Sequence, residues 1–375
     1  MGSTFKIINK GKDIISRSTL LHEAIPITGS LISGTYVVSD TDENIKNFSH
    51  GMFQSVYDYP YLSSSANSLF DITCGYSSIS SLSSSTNTQN AKKINMYNQM
   101  AQVLAGYDHT GSILRFDQAG EVVDTGTKID EAYFLTFSRL LVKDEIKKGT
   151  FELKLGINQD FDHGGTGGGS VHNKRIIITD ASSSNVYKVN SPAGEYGILY
   201  ATGSTANSGE VIHSTDYMPC GLLYYQAGVA VISGSVFGSY TLGNGLLRGS
   251  QGPCELAANI SGSGFNAITS STIQTMANGL RNRIYNVQFN NTTELNSTIY
   301  FCRVNHNEFN YSTNPTYISA SQIVLKEVKS DQTTTFITTV GLYNANNELL
   351  AVAKTSEPLV KTPQDELTIR VRLDY

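Results

Sequence analysis

The amino-acid sequence predicts a mainly β protein with minor α: β-sandwich-like domains plus one N-terminal helix. Three observations carry that prediction. First, Tyr (21) outnumbers Phe (15), Trp is absent, and stretches rich in Tyr, Thr, Val and Ile alternate with Gly- and Asn-bearing turns, the usage of strands joined by tight connections. Second, charged residues make up 16% of the chain, below the roughly 25% of average soluble domains, and neutral polar residues fill the difference. Third, one stretch, "TNTQNAKKINMYNQMAQVLAGYD", has clear helical spacing. Ile94, Tyr97, Ala101 and Leu104 recur on one face with Met96, Met100 and Val103 beside them, and Gly106 stands where a helix can stop. A helix is therefore expected over about 87–105, its Met-containing face turned to a core.

At 375 residues the chain exceeds the roughly 250–300 residues at which a single core stops growing. Three regions are expected: a mixed N-terminal region over 1–110, a central β-rich domain over 111–285, and a C-terminal antiparallel β domain over 286–375. In the first, "GSLISGTYVVSD" reads as a strand between turns, and "YLSSSANSLFDITCGYSSISSLSSSTN" as an irregular serine-rich surface segment. In the second, "EAYFLTFSRLLV" and "GTFELKLGI" flank the charged turn "KDEIKKG". Phe151, Leu153 and Leu155 alternate with Glu152 and Lys154, the pattern of a half-buried strand. "KRIIITD", "NVYKVN", "EYGILYAT" and "GLLYYQAGVAVISGSVFG" continue it, and "SSTIQTMANGLRNRI" reads as a second, shorter helix.

The third region is the most regular. "QIVLKEV", "TTFITTVGLY", "ELLAVAK" and "ELTIRVRLDY" are strand candidates, and "NANN" (Asn344 to Asn347) has the residues of a hairpin turn. From Leu349 to Ala353 both alternating sets are apolar or small, which predicts an inner strand covered on both faces. Pro358 and Pro363 are poorly suited to a ladder. In the last strand Leu367, Ile369, Val371, Leu373 and Tyr375 alternate with Thr368, Arg370, Arg372 and Asp374. The period of two assigns the first set to a core and the second to solvent or a partner.

The net charge of −5 argues against a general nucleic-acid binder. The dense basic spots, Lys92-Lys93 and Lys147-Lys148, read as solvated turn or helix faces. Cys74, Cys220, Cys254 and Cys302 form no CxxC pair, and without an apolar signal core in "MGSTFKIINKGKDIISRS" they are expected to be reduced thiols in a cytosol-made protein. No apolar run is long enough to span a bilayer.

Each chemical motif fails a test. The glycine-rich loop from Asp160 to Ser170 lacks the Lys-Ser/Thr pair of a phosphate-binding loop, since Val171 and His172 follow Ser170. Asp160, Asp162, His163 and His172 are metal-competent types, but the preferred reading is a surface loop. "GNGLLRGS" carries Arg248 where a dinucleotide fingerprint needs glycine, and no G-x-S-x-G elbow occurs. "HNE" (His306 to Glu308) lacks the later P-C-x-x-C of a zinc deaminase. No catalytic, cofactor-binding or metal residues are assigned, and no cofactor.

The strings without a chemical reading resemble known proteins. "FSRLLVKDEIKKGTFELKLG", "EYGILYA", "GLLYYQAGVAVISGSVFG", "NEFNYSTNPTYI" and "TTVGLYNANNELLAVAKTSEPLVKTPQDELTIRVRLDY" look like virion structural proteins of tailed bacteriophages, especially marine contractile-tailed ones. The "LLAVAK" run is also similar to end segments of tail-fibre and baseplate-attached proteins. The resemblance covers roughly Ala132 to the C-terminus, with gaps. It implies a non-enzymatic structural subunit of the tail, baseplate or neck, made in the host cytoplasm. It also implies other virion proteins as partners, in a homo-oligomer or mixed complex, and no membrane insertion. The alternative is a receptor-binding tail-fibre protein, or adhesin, that contacts the host surface, with Tyr, Ser, Asn and Gly as its recognition residues.

Overall fold

The structure, a computed structural model, describes residues 5–32, 44–121, 126–158, 172, 174–180, 186–203, 218–239, 246–247, 264–312, 315–319, 322–323, 328 and 330–375. The fold is mainly β, with one large antiparallel sheet and few helices. It divides into two units, Met1–Leu20 with Glu294–Tyr375 (unit 1) and Leu21–Thr293 (unit 2).

The long strands are β1 (Ile14–Thr28), β2 (Ile45–Asn47), β3 (Gln54–Tyr57), β4 (Ser68–Tyr76), β5 (Glu131–Phe137), β6 (Glu152–Gly156), β7 (Arg175–Thr179) and β8 (Gly194–Gly203). They continue with β9 (Met218–Tyr224), β10 (Val229–Ser233), β11 (Ile284–Val304), β12 (Thr335–Tyr343), β13 (Leu349–Lys361) and β14 (Leu367–Asp374). The two long helices are α1 (Asn90–Leu104) and α2 (Ile273–Arg283). A 14-stranded sheet runs in the order β1-β11-β6-β7-β8-β9-β10-β5-β4-β3-β2, with β14 and the short strand Glu145–Ile146 also paired to β11 and the short strand Lys188–Ser191 paired to β8.

At β5 and β10 both faces of the sheet in unit 2 are buried. Along β5, Tyr133, Leu135 and Phe137 enter one apolar core, whereas Ala132 and Phe134 enter another; Ala230 and Ile232 of β10 alternate with Val229 and Val231 in the same way. Period two thus yields runs that are apolar at every position, as a doubly covered sheet requires. Ile273, Met276, Ala277 and Leu280 of α2 join the first core, and Tyr97, Ala101 and Leu104 of α1 join the second.

Several elements agree with the sequence reading. Helix α1 lies within the expected 87–105. Gly106 ends it at φ +88°, and its N–H donates to the carbonyl of Ala101. In β6, Leu153 and Leu155 are buried while Glu152 and Lys154 are half-buried and ion-paired at 2.9 Å. Helix α2 corresponds to the second helical stretch. Its N-cap Thr272 accepts from the Thr275 N–H.

Others are corrected. Strands from either side of residue 110 pair with each other, β4 with β5 from Phe70↔Phe137 to Tyr76↔Glu131. The serine-rich stretch contains this inner strand: Leu69, Phe70, Ile72, Cys74 and Tyr76 are buried, and the serines on either side hide them from a composition argument. Ser77 and Ser80 are also buried, bonded to the carboxylates of Asp130 and Glu131. Gly29–Ile32 is a short helical turn where a strand was expected, and the rest of that stretch lies outside the described residues up to Asn44. "EAYFLTFSRLLV" is a strand only to Phe137; Arg139–Val142 forms one helical turn.

In unit 1, β14 pairs with β11 from Ser297↔Asp374 to Val304↔Leu367. Its alternation is as read from the sequence: Leu367, Ile369 and Leu373 are half-buried and Val371 buried, with Thr368, Arg370, Arg372 and Asp374 exposed. Tyr375 departs from it, at 74% exposed. Val371→Asp is expected to cost about 2 kcal/mol by forcing a carboxylate into an apolar layer, whereas Arg370→Ser should stay within about 0.5 kcal/mol. Denaturant midpoints of the full chain check this; equal losses would contradict the assigned faces.

Candidate functional site

The residues singled out from sequence do not converge. Asp160, Asp162, His163, Arg248 and Cys254 lie outside the described residues. His172 stands 5.5 Å from the Tyr285 ring, centroid to centroid. His306 and Glu308 point to different partners: His306 Nδ1 is 3.4 Å from Glu366, while Glu308 is ion-paired with Lys6 at 2.6 Å. Among the described residues no three His, Cys, Asp or Glu gather as metal ligands. Cys74 and Cys220 are buried free thiols and Cys302 is a half-buried one. No helix among the described residues is long and apolar enough to cross a membrane.

One lysine of each pair is less solvated than expected, whereas Lys92 is exposed. Lys148 is ion-paired with Glu195 at 2.5 Å and its Nζ stands 4.8 Å from the Tyr187 ring centroid. Lys93 is fully buried. Its ammonium donates to the carbonyls of Thr88, Ile268 and Ser271, tying α1 to the segment before α2. Burial pulls its pKa down to about 8, and burial raises the Cys74 thiol to about 12. Position 93 falls on the helical repeat with Tyr97, Ala101 and Leu104, so spacing marked it as inward; its charge hid it. Lys361 of β13 is buried in the same manner, its ammonium donating to the carbonyls of His306 and Thr362 and to Asn310 Oδ1, and two buried arginines sit at the end of α2. Arg281 donates to Gln54 and the Ile32 carbonyl at 3.1 Å, and Arg283 to the carbonyls of Gly156 and Asn158 at 3.0 Å. These groups hold backbone in place, the usual use of a buried charge with carbonyl partners.

The chemically open feature is a groove of about 1490 Å³ in unit 1. One wall is sheet: Ile14 of β1, Tyr300 and Cys302 of β11, Ile369 and Leu373 of β14. The other is the β12–β13 hairpin, through Ile337, Val340, Leu342 and Leu350. Residues 5–13 edge the groove with Lys6, Lys10 and Lys12. Asp13 bonds Arg303 at 2.7 Å; the Asn9 N–H and then Arg303 hold the Asp13 carboxyl below its ordinary pKa. Phe5 packs edge-on against Tyr343, ring centroids 4.9 Å apart.

The hairpin follows from its turn. The Asn344 side-chain oxygen accepts the N–H groups of Asn346 and Glu348 at 2.9 Å, and Asn347 takes φ +64°. Pairing then runs Leu342↔Ala351, Gly341↔Val352 and Val340↔Ala353. Between Ile337↔Leu359 and Thr339↔Lys354 the ladder is interrupted, and Pro358 falls in this irregular stretch, where its missing N–H costs nothing. The expected inner strand is not one. β12 and β13 pair only with each other among the described residues, and Leu349, Leu350 and Val352 are 52%, 68% and 51% exposed. Ala351 and Ala353 share a face with their partners Leu342 and Val340, which line the groove, while the opposite face has no covering layer among the described residues.

The groove therefore offers an apolar floor, a basic edge and strand backbone nearby. That is the equipment for holding polypeptide. Compared with protein-family models, curated protein sequences and solved structures, the chain shows no significant match to any of them.

Proposed function

We propose that the chain is a non-enzymatic structural subunit of a tailed-phage virion, a tail or baseplate assembly component. It is made in the host cytoplasm and works in a homo-oligomer or with other virion proteins. The observation that supports this most is the uncovered apolar surface of unit 1. More than half of the large apolar side chains exposed among the described residues belong to it. Surface of that kind marks a protein built to be covered by another chain. The sequence resemblance points the same way. The proposal includes a sandwich-like arrangement for unit 1, with the β1-β11-β14 sheet and the hairpin as its two layers.

Labelling the chain in intact particles and cross-linking it to its neighbours tests the proposal. The expected result is a fixed copy number in the tail, baseplate or neck, with links to several different virion proteins. Purified particles without the chain would overturn it. So would turnover of host polysaccharide or peptidoglycan by the purified protein. The receptor-binding reading draws on Tyr59, Tyr61 and Leu62, exposed beside the serine-rich stretch. A distal position and loss of host adsorption on changing these three residues would favour it.

A further inference from the structure

The core of unit 1 is too small for its surface. Among the described residues its buried apolar side chains are Val304, Tyr317, Leu342 and Val371, each 5–7% exposed, and none belongs to either apolar core of the molecule. An isolated two-stranded hairpin is marginal in water. Here, moreover, its outer face is apolar: Phe336 and Val360 pair across the ladder at 52% and 51% exposed, with Val352 on the same strand at 51%. The groove behind the hairpin is larger than the roughly 300–1,000 Å³ of small-molecule sites, which directs attention to a polypeptide occupant.

Charge indicates which polypeptide. Lys10 and Lys12 line the groove, are exposed, and make no ion pair among the described residues. Glu348 at the hairpin turn and Glu357 on β13 are exposed and likewise make none. Lys354, exposed on the same strand, makes none either, so the exposed charge of the hairpin is two carboxylates against one ammonium. The chain thus carries an apolar groove with a basic edge and an apolar hairpin of net negative charge. One surface complements the other but a single copy does not bring them together.

We infer that the partner of this groove is a second copy of the same chain, whose β12–β13 hairpin seats its outer face against the groove and brings Glu348 and Glu357 to Lys10 and Lys12. Every copy carries both surfaces, so association is either reciprocal in a dimer or continues around a ring. This deepens the assembly-subunit reading by naming the partner and the surface.

Sedimentation velocity of the purified full chain over a concentration series tests it. The wild type is expected to be larger than a monomer, and Val352→Glu to raise the dissociation concentration at least tenfold. Two charge-reversed proteins, Lys10→Glu with Lys12→Glu and Glu348→Lys with Glu357→Lys, should each associate weakly alone. Mixed together they should associate again, because each groove then meets a hairpin of opposite charge. That mixing experiment uses only exposed positions, so it decides the matter even if Val352→Glu misfolds. A monomeric wild type at its highest soluble concentration overturns the inference. So does association that survives all three variants, or reversed proteins that stay apart when mixed. Failure here is separable from failure of the functional reading. A monomer found in particles sinks this inference alone, and a self-associating chain missing from particles sinks the functional reading alone.

Discussion

Gly75→Ala is expected to destabilise the full chain by about 3 kcal/mol or more, the largest effect of any single methyl group proposed here. A Cβ at position 75 would stand 2.4 Å from the Lys93 carbonyl oxygen and 3.0 Å from the Tyr97 nitrogen. Both atoms are helix backbone, which no rotamer change can move aside. Helix α1 lies this close because Gly75 and its cross-strand partner Ala132 leave the sheet surface nearly bare. The methyl group must lift the helix from the strand, and Tyr97, Ala101 and Leu104 would lose their packing in the second core. Thermal unfolding followed by near-UV tyrosine dichroism measures the loss. A change under about 1 kcal/mol would show that the seam is looser than the distances state.

Lys93→Met should cost a further few kcal/mol by a different route, about 3 kcal/mol at neutral pH. Methionine fills most of the space but offers no donor, so the carbonyls of Thr88, Ile268 and Ser271 lose their partner in a dry site. The pH dependence distinguishes this from simple misfit. Burial lowers the Lys93 pKa to about 8 from an ordinary 10.5. Between those values the unfolded chain holds a proton that the folded chain has released. This group's contribution to stability therefore rises with pH across that window. The advantage of wild type over Lys93→Met is expected to widen from pH 8 toward 10.5, with other titrating groups common to both proteins. Denaturant midpoints at three pH values across the window check it; a gap that narrows would mean that the ammonium is not desolvated as described.

How much of this was legible depends on whether the deciding signal was local. Strand alternation in "GTFELKLG" and "ELTIRVRLDY" is a period of two, readable from neighbours alone. So is the 3.6-residue repeat of α1 with Gly106 at its end, and the asparagine turn of the hairpin. For the candidate site, the hairpin strands were legible, but the groove was not. It is made by Ile14, Tyr300, Ile337 and Leu373, residues brought together from distant parts of the chain.

The sequence by itself determined the β class, the long helix, the strand faces of β6 and β14, and the hairpin turn, because backbone periodicity and turn chemistry are short-range. Only the tertiary structure decided which apolar runs are covered and which charges are buried. "SLFDITCGY" looks unremarkable among serines, yet it is an inner strand because β3 and β5 pair on either side of it. "LLAVA" looks like an inner strand, yet it is exposed because no further strand or layer reaches it among the described residues. Lys93 reads as solvated, yet three carbonyls from outside its own helix turns surround it. Burial is a property of what packs against a residue, and that neighbour is set by long-range contacts that no local pattern encodes.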